Sequence, residues 1–357
     1  MTLGRGALLG LSLLMACRPT ASPTPVSPEV GPHGTLGVES FFSRSLGVRK
    51  RYLVYLPPSY RQASRKRYPV VYVLHGATGN EADWVARGDL NVIADSVFGR
   101  GVPELIFVMP DGDNSFWANW AISPGYQDCA RNAELAEAAT TFCVATSRYG
   151  DYLAGDLVAH VDSAYRTLGD RAHRGLMGLS MGGTGALTLA LTYPRSFSAT
   201  AAFSALAAPF YIGPHPYRAP ARHAASFDEL DQALGSPQPG RRRYGIDTAL
   251  WSRYDPERAA RVLQQSGGPL PAIRLDVGRD DPYIDQNRAL DAALTTLGVP
   301  HEYYERDGAH QWAYWRTHTA ATLVWLAGQL TRPPAKPGTA ARSRPHDPSP
   351  PARPRER

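Results

Sequence analysis

The pentapeptide Gly-Leu-Ser-Met-Gly at residues 178–182 constrains this chain more than any other feature, because of what flanks it. The short apolar run at residues 174–179 favours a strand, and the small apolar residues 182–193 favour a closely packed helix that Pro194 ends. A glycine on either side lets the chain turn sharply from strand to helix, with Ser180 at the apex. The Ser180 hydroxyl would then project at the helix N-terminus, where the helix dipole favours negative charge.

Strand-like and helix-like segments alternate along the rest of the chain. The strand-like runs are continuous, apolar and rich in β-branched residues, as buried parallel strands are. Repeated strand-then-helix order predicts a mostly parallel sheet covered by helices on both faces. Together with the turn at Ser180, this pattern predicts the α/β-hydrolase fold. Strands are expected at residues 38–43, 51–56, 70–74, 105–109, 174–179, 199–203, 273–277 and 301–305, and helices at 149–168, 182–193 and 311–330.

A serine hydroxyl is a weak nucleophile and needs a base, which in this fold follows the acid and the serine in chain order. His310 lies between the last predicted strand and the last predicted helix, in a loop from which an imidazole could reach Ser180. The acid should follow the strand at residues 273–277, where Asp280 and Asp281 stand side by side. Spacing alone leaves both aspartates open as the group that would orient the histidine.

The oxyanion formed by nucleophilic attack on an ester needs hydrogen-bond donors. One should be the backbone N–H of Met181, the residue after the nucleophile, and we assign the second to the N–H of Ala77 in the loop after an early strand. His75 in that loop is expected to be structural. Aromatic side chains in loops on the same face could stack on a sugar or aryl group. These candidate substrate-binding residues are Trp84, Trp117, Trp120 and Trp312.

Several segments together carry a family resemblance, over roughly residues 40–330. They are LHGATGN at residues 74–80 with Asp83-Trp84, MPDG at 109–112 with NSFW at 114–117, the turn at 178–183, the step from Gly278 to Asp281 with Gln286-Asn287, and the Gly308-x-His310-x-Trp312 step. The chain resembles the esterase family that contains S-formylglutathione hydrolases (esterase D), feruloyl and acetyl-xylan esterases, and envelope mycolyltransferases.

The resemblance implies specific roles for individual residues. Ser180 would be the nucleophile, His310 the base, and Asp281 rather than Asp280 the acid, with Ala77 and Met181 as oxyanion donors. The chain departs from the family in two long, Gly- and Pro-rich stretches, residues 113–148 and 205–263. Both would surround the site, since each follows a strand at its carboxyl end, so the family's substrates do not carry over.

The N-terminus has the pattern of an export signal. Arg5 precedes a short apolar segment, residues 7–15, which is too short to span a bilayer as a helix. The sequence Leu-Met-Ala-Cys at residues 14–17 resembles a bacterial lipobox, which would make Cys17 the lipidated N-terminus and the only membrane attachment. The predicted organisation is a signal peptide at 1–17, a flexible linker at 18–34, an esterase domain at 35–331 and a disordered Pro/Arg-rich tail at 332–357.

The number of cysteines and the distribution of charge limit which covalent links and binding partners are expected. In an exported chain Cys129 and Cys143 could form a disulfide that pins one wall of the cleft, with two free thiols as the alternative.

Residues 332–357 hold seven basic and two acidic residues, a charge of +5, so the net charge of +6 leaves only +1 for the rest of the chain. The folded body therefore lacks the basic footprint of nucleic-acid binding. No metal-ligand cluster or nucleotide-binding motif is present in the sequence, so no metal or cofactor is expected.

These features predict an exported serine carboxylesterase, located in the cell envelope as a lipoprotein or otherwise periplasmic or secreted. Acylated carbohydrates or aryl esters suit an extracellular site better than a cytosolic thioester does. An acyltransferase, in which a sugar or lipid hydroxyl replaces water, would use the same residues and stays open. A carbohydrate-binding surface protein on an inactive scaffold is disfavoured, because the serine, acid and histidine are all present in the right order.

Overall fold

The computed structural model describes residues 33–120, 143–235 and 253–332. Within them one sheet contains eight strands, numbered β1 to β8 in chain order. The first two form an antiparallel hairpin, and the six strands from the third onward are parallel to one another. The predicted mostly parallel sheet is therefore confirmed. The strands are β1 Thr35–Ser43, β2 Val48–Leu56, β3 Val70–Leu74, β4 Ile106–Pro110, β5 Arg174–Leu179, β6 Ala199–Phe203, β7 Ala272–Gly278 and β8 His301–Arg306.

Helices connect the strands. One of them, α3, contains a π-helical middle segment and ends at Ala164, because Tyr165 adopts an extended conformation. The predicted helix at residues 149–168 is therefore four residues too long at its end. The helices are α1 Asp83–Ala86, α2 Leu90–Phe98, α3 Tyr149–Asp151 with Tyr152–Leu157 and Val158–Ala164, α4 Met181–Thr192, α5 Phe227–Leu234, α6 Pro256–Gln265, α7 Ile284–Thr296 and α8 Trp312–Leu330.

The core lies on both faces of the sheet, as the apolar strand runs predict. In β3 the side chains of Tyr72 and Leu74 pack with residues of α3 and α4. Those of Val71 and Val73, on the other face, pack with residues of α2 and α8. A strand buried on both sides has no polar face, which explains its continuous rather than alternating apolar pattern.

The strand order, β1-β2-β4-β3-β5-β6-β7-β8, positions the functional loops. Because β3 to β8 run parallel, their carboxyl ends lie along one edge of the sheet. The loops that follow β3, β4, β5, β6, β7 and β8 therefore meet at that edge, and every residue predicted to act in catalysis lies in one of them or at the start of α4.

Several predicted features lie partly or wholly outside the described residues. They are the signal peptide with Cys17, the linker except for residues 33 and 34, most of the stretch at 113–148 including Cys129, and the tail beyond residue 332. In the described part, Cys143 is buried and disulfide-bonded, and its predicted pairing with Cys129 stays a prediction. Among the described helices, none is long and apolar enough to cross a membrane.

Candidate active site

Ser180 occupies a strained turn between β5 and α4. Its backbone angles are φ 53° and ψ −122°, a conformation that non-glycine residues rarely adopt. The turn is held by hydrogen bonds on both sides, from Ser180 N–H to the Phe203 carbonyl at 2.9 Å and from Thr184 N–H to the Ser180 carbonyl at 3.0 Å. Strain at a residue so firmly held is typical of functional sites, and here it presents the hydroxyl at the start of a helix.

The two glycines of the pentapeptide are required by close backbone packing. A Cβ on Gly178 would overlap the backbone of Gly182, and a Cβ on Gly182 would overlap the carbonyls of Leu74 and His75. Gly182 thereby lets α4 start directly against the end of β3. The same close approach brings the loop after β3 next to Ser180, since a Cβ on Gly76 would lie 3.4 Å from the Ser180 Cβ.

His310 bridges the serine and an acid, as the sequence predicts. Its Nε2 lies 3.0 Å from Ser180 Oγ, and its Nδ1 lies 3.0 Å from Asp281 Oδ2. This arrangement corresponds to the tautomer in which Nδ1–H donates to the carboxylate and Nε2 accepts from the serine hydroxyl. Three residues separated by up to 130 positions in the chain thus form one continuous hydrogen-bonded path.

The structure also separates the two candidate acids. The Asp281 side chain is fully buried, and its second oxygen accepts the Tyr283 N–H at 2.9 Å. Asp280 is exposed, and its backbone N–H donates to the Gly308 carbonyl at 2.9 Å, which joins the acid loop to the histidine loop. Asp281 is therefore the carboxylate that meets His310, in line with the family resemblance.

Two aromatic residues that the sequence analysis missed hold the imidazole in place. The rings of Tyr283 and Trp315 each lie 5.1 Å from the His310 ring in edge-to-face geometry. Trp315 Nε1–H donates to Ser204 Oγ at 2.9 Å, which fixes the indole. Their positions, two residues after Asp281 and five after His310, were the only signal available, because contact with the imidazole depends on the tertiary fold.

The predicted oxyanion donors belong to the two segments that meet at Ser180, the loop after β3 and the start of α4. Met181 is the first residue of α4, where a backbone N–H has no partner within the helix. Ala77 lies in the exposed loop after β3. Among the backbone hydrogen bonds outside helices and strands in the described part of the chain, none has the N–H of Ala77 or Met181 as its donor.

The structure corrects two of the four predicted substrate-binding tryptophans. Trp84 and Trp117 are 1% and 0% exposed, so neither presents a ring face to a substrate. Trp84 Nε1–H donates to the Leu74 carbonyl at 2.9 Å, and Trp117 packs against Gly112 and Gly185. They belong to the core because the chain folds back over them, which loop position alone does not reveal. Trp120 and Trp312 are half-buried and keep part of their surface accessible.

A nucleophile turn with a Ser–His–Asp path on a mostly parallel sheet defines a serine hydrolase of the α/β-hydrolase fold. The chain belongs to the esterase family whose model is described as "Putative esterase" and matches residues 43–326. It is thus a serine hydrolase that acts on carboxylic esters, and the resemblance found in the sequence is confirmed.

Individual relatives agree with this assignment. The chain is 24% identical to an acetyl esterase of Caldicellulosiruptor saccharolyticus, over 81% of this chain and 96% of that protein. A ferulic acid esterase structure has a TM-score of 0.58 at 24% identity and covers 84% of this chain and 99% of its own. An S-formylglutathione hydrolase structure from Agrobacterium tumefaciens has a TM-score of 0.60 at 22% identity, over 85% of this chain and 99% of its own. The two structures confirm the predicted fold.

Proposed function

We propose that this protein is an exported carboxylesterase that hydrolyses acylated carbohydrates or aryl esters through an acyl-enzyme. The observation that carries the proposal is the path from Ser180 Oγ through His310 to the buried Asp281, with both hydrogen bonds at 3.0 Å. The strained turn at Ser180 adds to it, because a turn of this kind presents a nucleophile at the carboxyl edge of the sheet.

The geometry supports two successive acyl-transfer steps. Ser180 Oγ attacks the ester carbonyl carbon while His310 Nε2 takes its proton, and Asp281 stabilises the resulting imidazolium. The N–H groups of Ala77 and Met181 stabilise the oxyanion. The intermediate collapses, the alcohol leaves with the proton from His310, and the acyl group stays on Ser180. Water, deprotonated by His310, then attacks the acyl carbon; the bond to Ser180 Oγ breaks, His310 returns the proton to Oγ, and the carboxylic acid leaves.

The activities for which the relatives are named and the half-buried tryptophans support the proposed substrate class. The relatives include an acetyl esterase and a ferulic acid esterase. Trp312 lies two residues after His310 and is held edge-to-face against Trp315, with ring centroids 5.3 Å apart. Trp315 in turn contacts the His310 ring, and a partly accessible indole at this place suits a sugar or an aromatic acyl group.

We expect the purified protein to release p-nitrophenol from p-nitrophenyl acetate and to hydrolyse feruloyl esters or acetylated xylan. Activity against longer acyl esters measures the depth of the acyl site. Ser180→Ala protein, prepared in parallel, is the control for contaminating esterases. Absence of turnover on every ester tested would contradict the proposed activity. Acyl transfer to an added sugar hydroxyl that outpaces hydrolysis would instead identify an acyltransferase.

The proposed export leads to a separate prediction, that Cys17 is lipidated. Because the lipobox-like residues 14–17 follow a short apolar segment, we expect Cys17 to carry lipid in the mature protein. Metabolic labelling with an alkyne fatty acid should mark the wild type and leave Cys17→Ser unmarked. Equal labelling of both, or no labelling of either, would leave an ordinary signal peptide as the explanation.

A further inference from the structure

A buried charge cluster lies behind the active-site loops, and none of its members takes part in the proposed reaction. The Lys50 side chain, on β2, is fully buried, with Nζ 2.5 Å from Asp111 Oδ2 and 2.9 Å from Asp113 Oδ1. The Tyr149 hydroxyl donates to the Asp113 carboxylate, and the Tyr152 hydroxyl donates to the Asp111 backbone carbonyl at 3.2 Å. Burying an ammonium is costly unless it is paired, so a cluster like this one must hold its groups in a defined geometry.

The cluster carries one positive charge between two unequal carboxyls. Burial alone would lower the pKa of Lys50, but Asp111 and Asp113 raise it above its usual value. Burial alone would raise the pKa of Asp111, but the Lys50 ammonium holds it well below its usual range. Burial and the charge of Asp111 raise the pKa of Asp113 to about 6. The two carboxyls thus titrate as a coupled pair around Lys50, and Asp111 is the more acidic of the two.

The segment after β4 that carries both aspartates also holds the loop after β3. The Gly112 N–H donates to His75 Nε2 at 3.0 Å, so the ring hydrogen lies on Nδ1, which donates to the Gly76 carbonyl at 2.8 Å. A peptide unit is planar, and the Gly76 carbonyl belongs to the same unit as the Ala77 N–H. Fixing the carbonyl therefore fixes the direction in which the Ala77 N–H points.

A second contact holds the next peptide unit. The Thr78 N–H donates to Asn114 Oδ1 at 2.6 Å, and Thr78 adopts the left-handed conformation with φ 63°. Asp113, directly before Asn114, is also left-handed at φ 48°, and its N–H donates to Asp111 Oδ1 at 3.1 Å. Both peptide units that flank Ala77 are thus fastened to a segment whose own backbone is shaped by the ion cluster.

We propose that Lys50, Asp111 and Asp113 form a charged latch that positions the Ala77 oxyanion donor through the contacts of residues 112 and 114 with the loop after β3. The proposal rests on the proposed function, because Ala77 acts as a donor only if an ester is attacked at Ser180. In this proposal the three residues act through the loop after β3 and not on the ester itself, so they are positioning residues.

Two variants test the latch at different points. Asp113→Asn removes a charge and keeps the shape of the side chain, and Asn114→Ala removes the contact with Thr78 at an exposed position. Lys50→Met would leave two unpaired buried carboxylates and is less informative, because it could unfold the protein. The matched control is Asp156→Asn, since Asp156 accepts hydrogen bonds from Ser43 Oγ and Ser45 N–H, both at 2.7 Å, on the same side of the sheet.

We expect kcat for p-nitrophenyl acetate to fall about ten-fold in Asp113→Asn and in Asn114→Ala, with KM nearly unchanged, because an oxyanion donor acts in the transition state. Asp156→Asn should match the wild type. Amide hydrogen exchange, measured on peptides that cover residues 75–80, should be faster in the two test variants than in the control. If Asp113 and Asn114 only stabilised another part of the fold, their substitution would not change both the hydrogen exchange of this loop and kcat.

Unchanged hydrogen exchange at residues 75–80 in Asp113→Asn and Asn114→Ala would refute the proposal. Faster exchange in these variants with unchanged kcat would refute it as well. A wild type without ester hydrolysis would refute the proposed function, while the exchange rates would still decide whether the cluster holds the loop.

The titration of Asp113 leads to an additional prediction about the pH dependence of Tm, which can be tested without an activity assay. Because the pKa of this carboxyl is raised to about 6 in the folded protein, the folded state binds its proton more tightly than the unfolded chain does. Stability from this group is present at low pH and is lost as the pH rises through about 6. The difference in Tm between Asp113→Asn and the wild type should therefore become more positive from about pH 4 to about pH 7. A constant difference would contradict the raised pKa of Asp113.

Discussion

Ser180→Ala should abolish ester hydrolysis and leave the fold intact. The substitution removes the only atom of residue 180 that can form the acyl-enzyme, and loss of the nucleophile of such a triad typically lowers kcat by on the order of 10⁶. Alanine fits the turn as serine does, because the positive φ of 53° is imposed by the surrounding backbone contacts. Steady-state kinetics on p-nitrophenyl acetate and circular dichroism measure the two parts of this expectation.

A fluorophosphonate probe gives a test that does not depend on the natural substrate, because it reacts with activated serines. It should label the wild type and the control Ser163→Ala, and should fail to label Ser180→Ala. Ser163 is an exposed serine on α3 whose hydroxyl donates to the His160 carbonyl. More than a few per cent of wild-type turnover in a clean Ser180→Ala preparation would refute the nucleophile assignment.

Asp281→Asn should lower kcat by up to ~10⁴, whereas Asp280→Asn should have a mild effect. The Asp281 carboxylate accepts from His310 Nδ1 at 3.0 Å, and an amide at this position can instead donate to that nitrogen. The imidazole would then hold its hydrogen on Nε2, where it can no longer accept the serine proton. Asp280 is the matched control, since it is the same residue type, one position away, with an exposed side chain.

The pH profile adds detail to the comparison. Because the expected defect in Asp281→Asn is a wrong tautomer, alkaline conditions that favour direct deprotonation of Ser180 should restore part of the activity. Kinetics of the two single variants decide the assignment. The reverse ranking, with Asp280→Asn the more damaging substitution, would refute it.

Much of this architecture could be predicted from the sequence because it depends on local patterns. The apolar run at Val70–Leu74 predicts a strand buried on both faces, and the structure places it between two neighbours in the sheet. The glycines at residues 178 and 182 predict the tight turn because only a residue without a side chain permits such backbone contact. His310 could be proposed because its place between a strand and a helix is a property of chain order.

Other features depend on which distant residues the fold brings into contact. Trp84 and Trp117 look like accessible loop aromatics in the sequence, yet packing buries both. Asp280 and Asp281 differ by one position, and the direction of the chain after β7 decides which of them reaches His310. The loop positions are visible in the sequence, but the exposure of a side chain is set by everything that packs around it.

The sequence by itself thus determined the order of strands and helices, the turn at Ser180 and the family, because each is written in short segments with a definite local geometry. Only the tertiary structure decided which carboxylate meets His310, which rings hold the imidazole, and how Lys50, sixty-one positions before Asp111, joins a cluster behind the oxyanion loop. A buried lysine is paired by residues far along the chain, and the free energy that holds it there comes from contacts that exist only after folding.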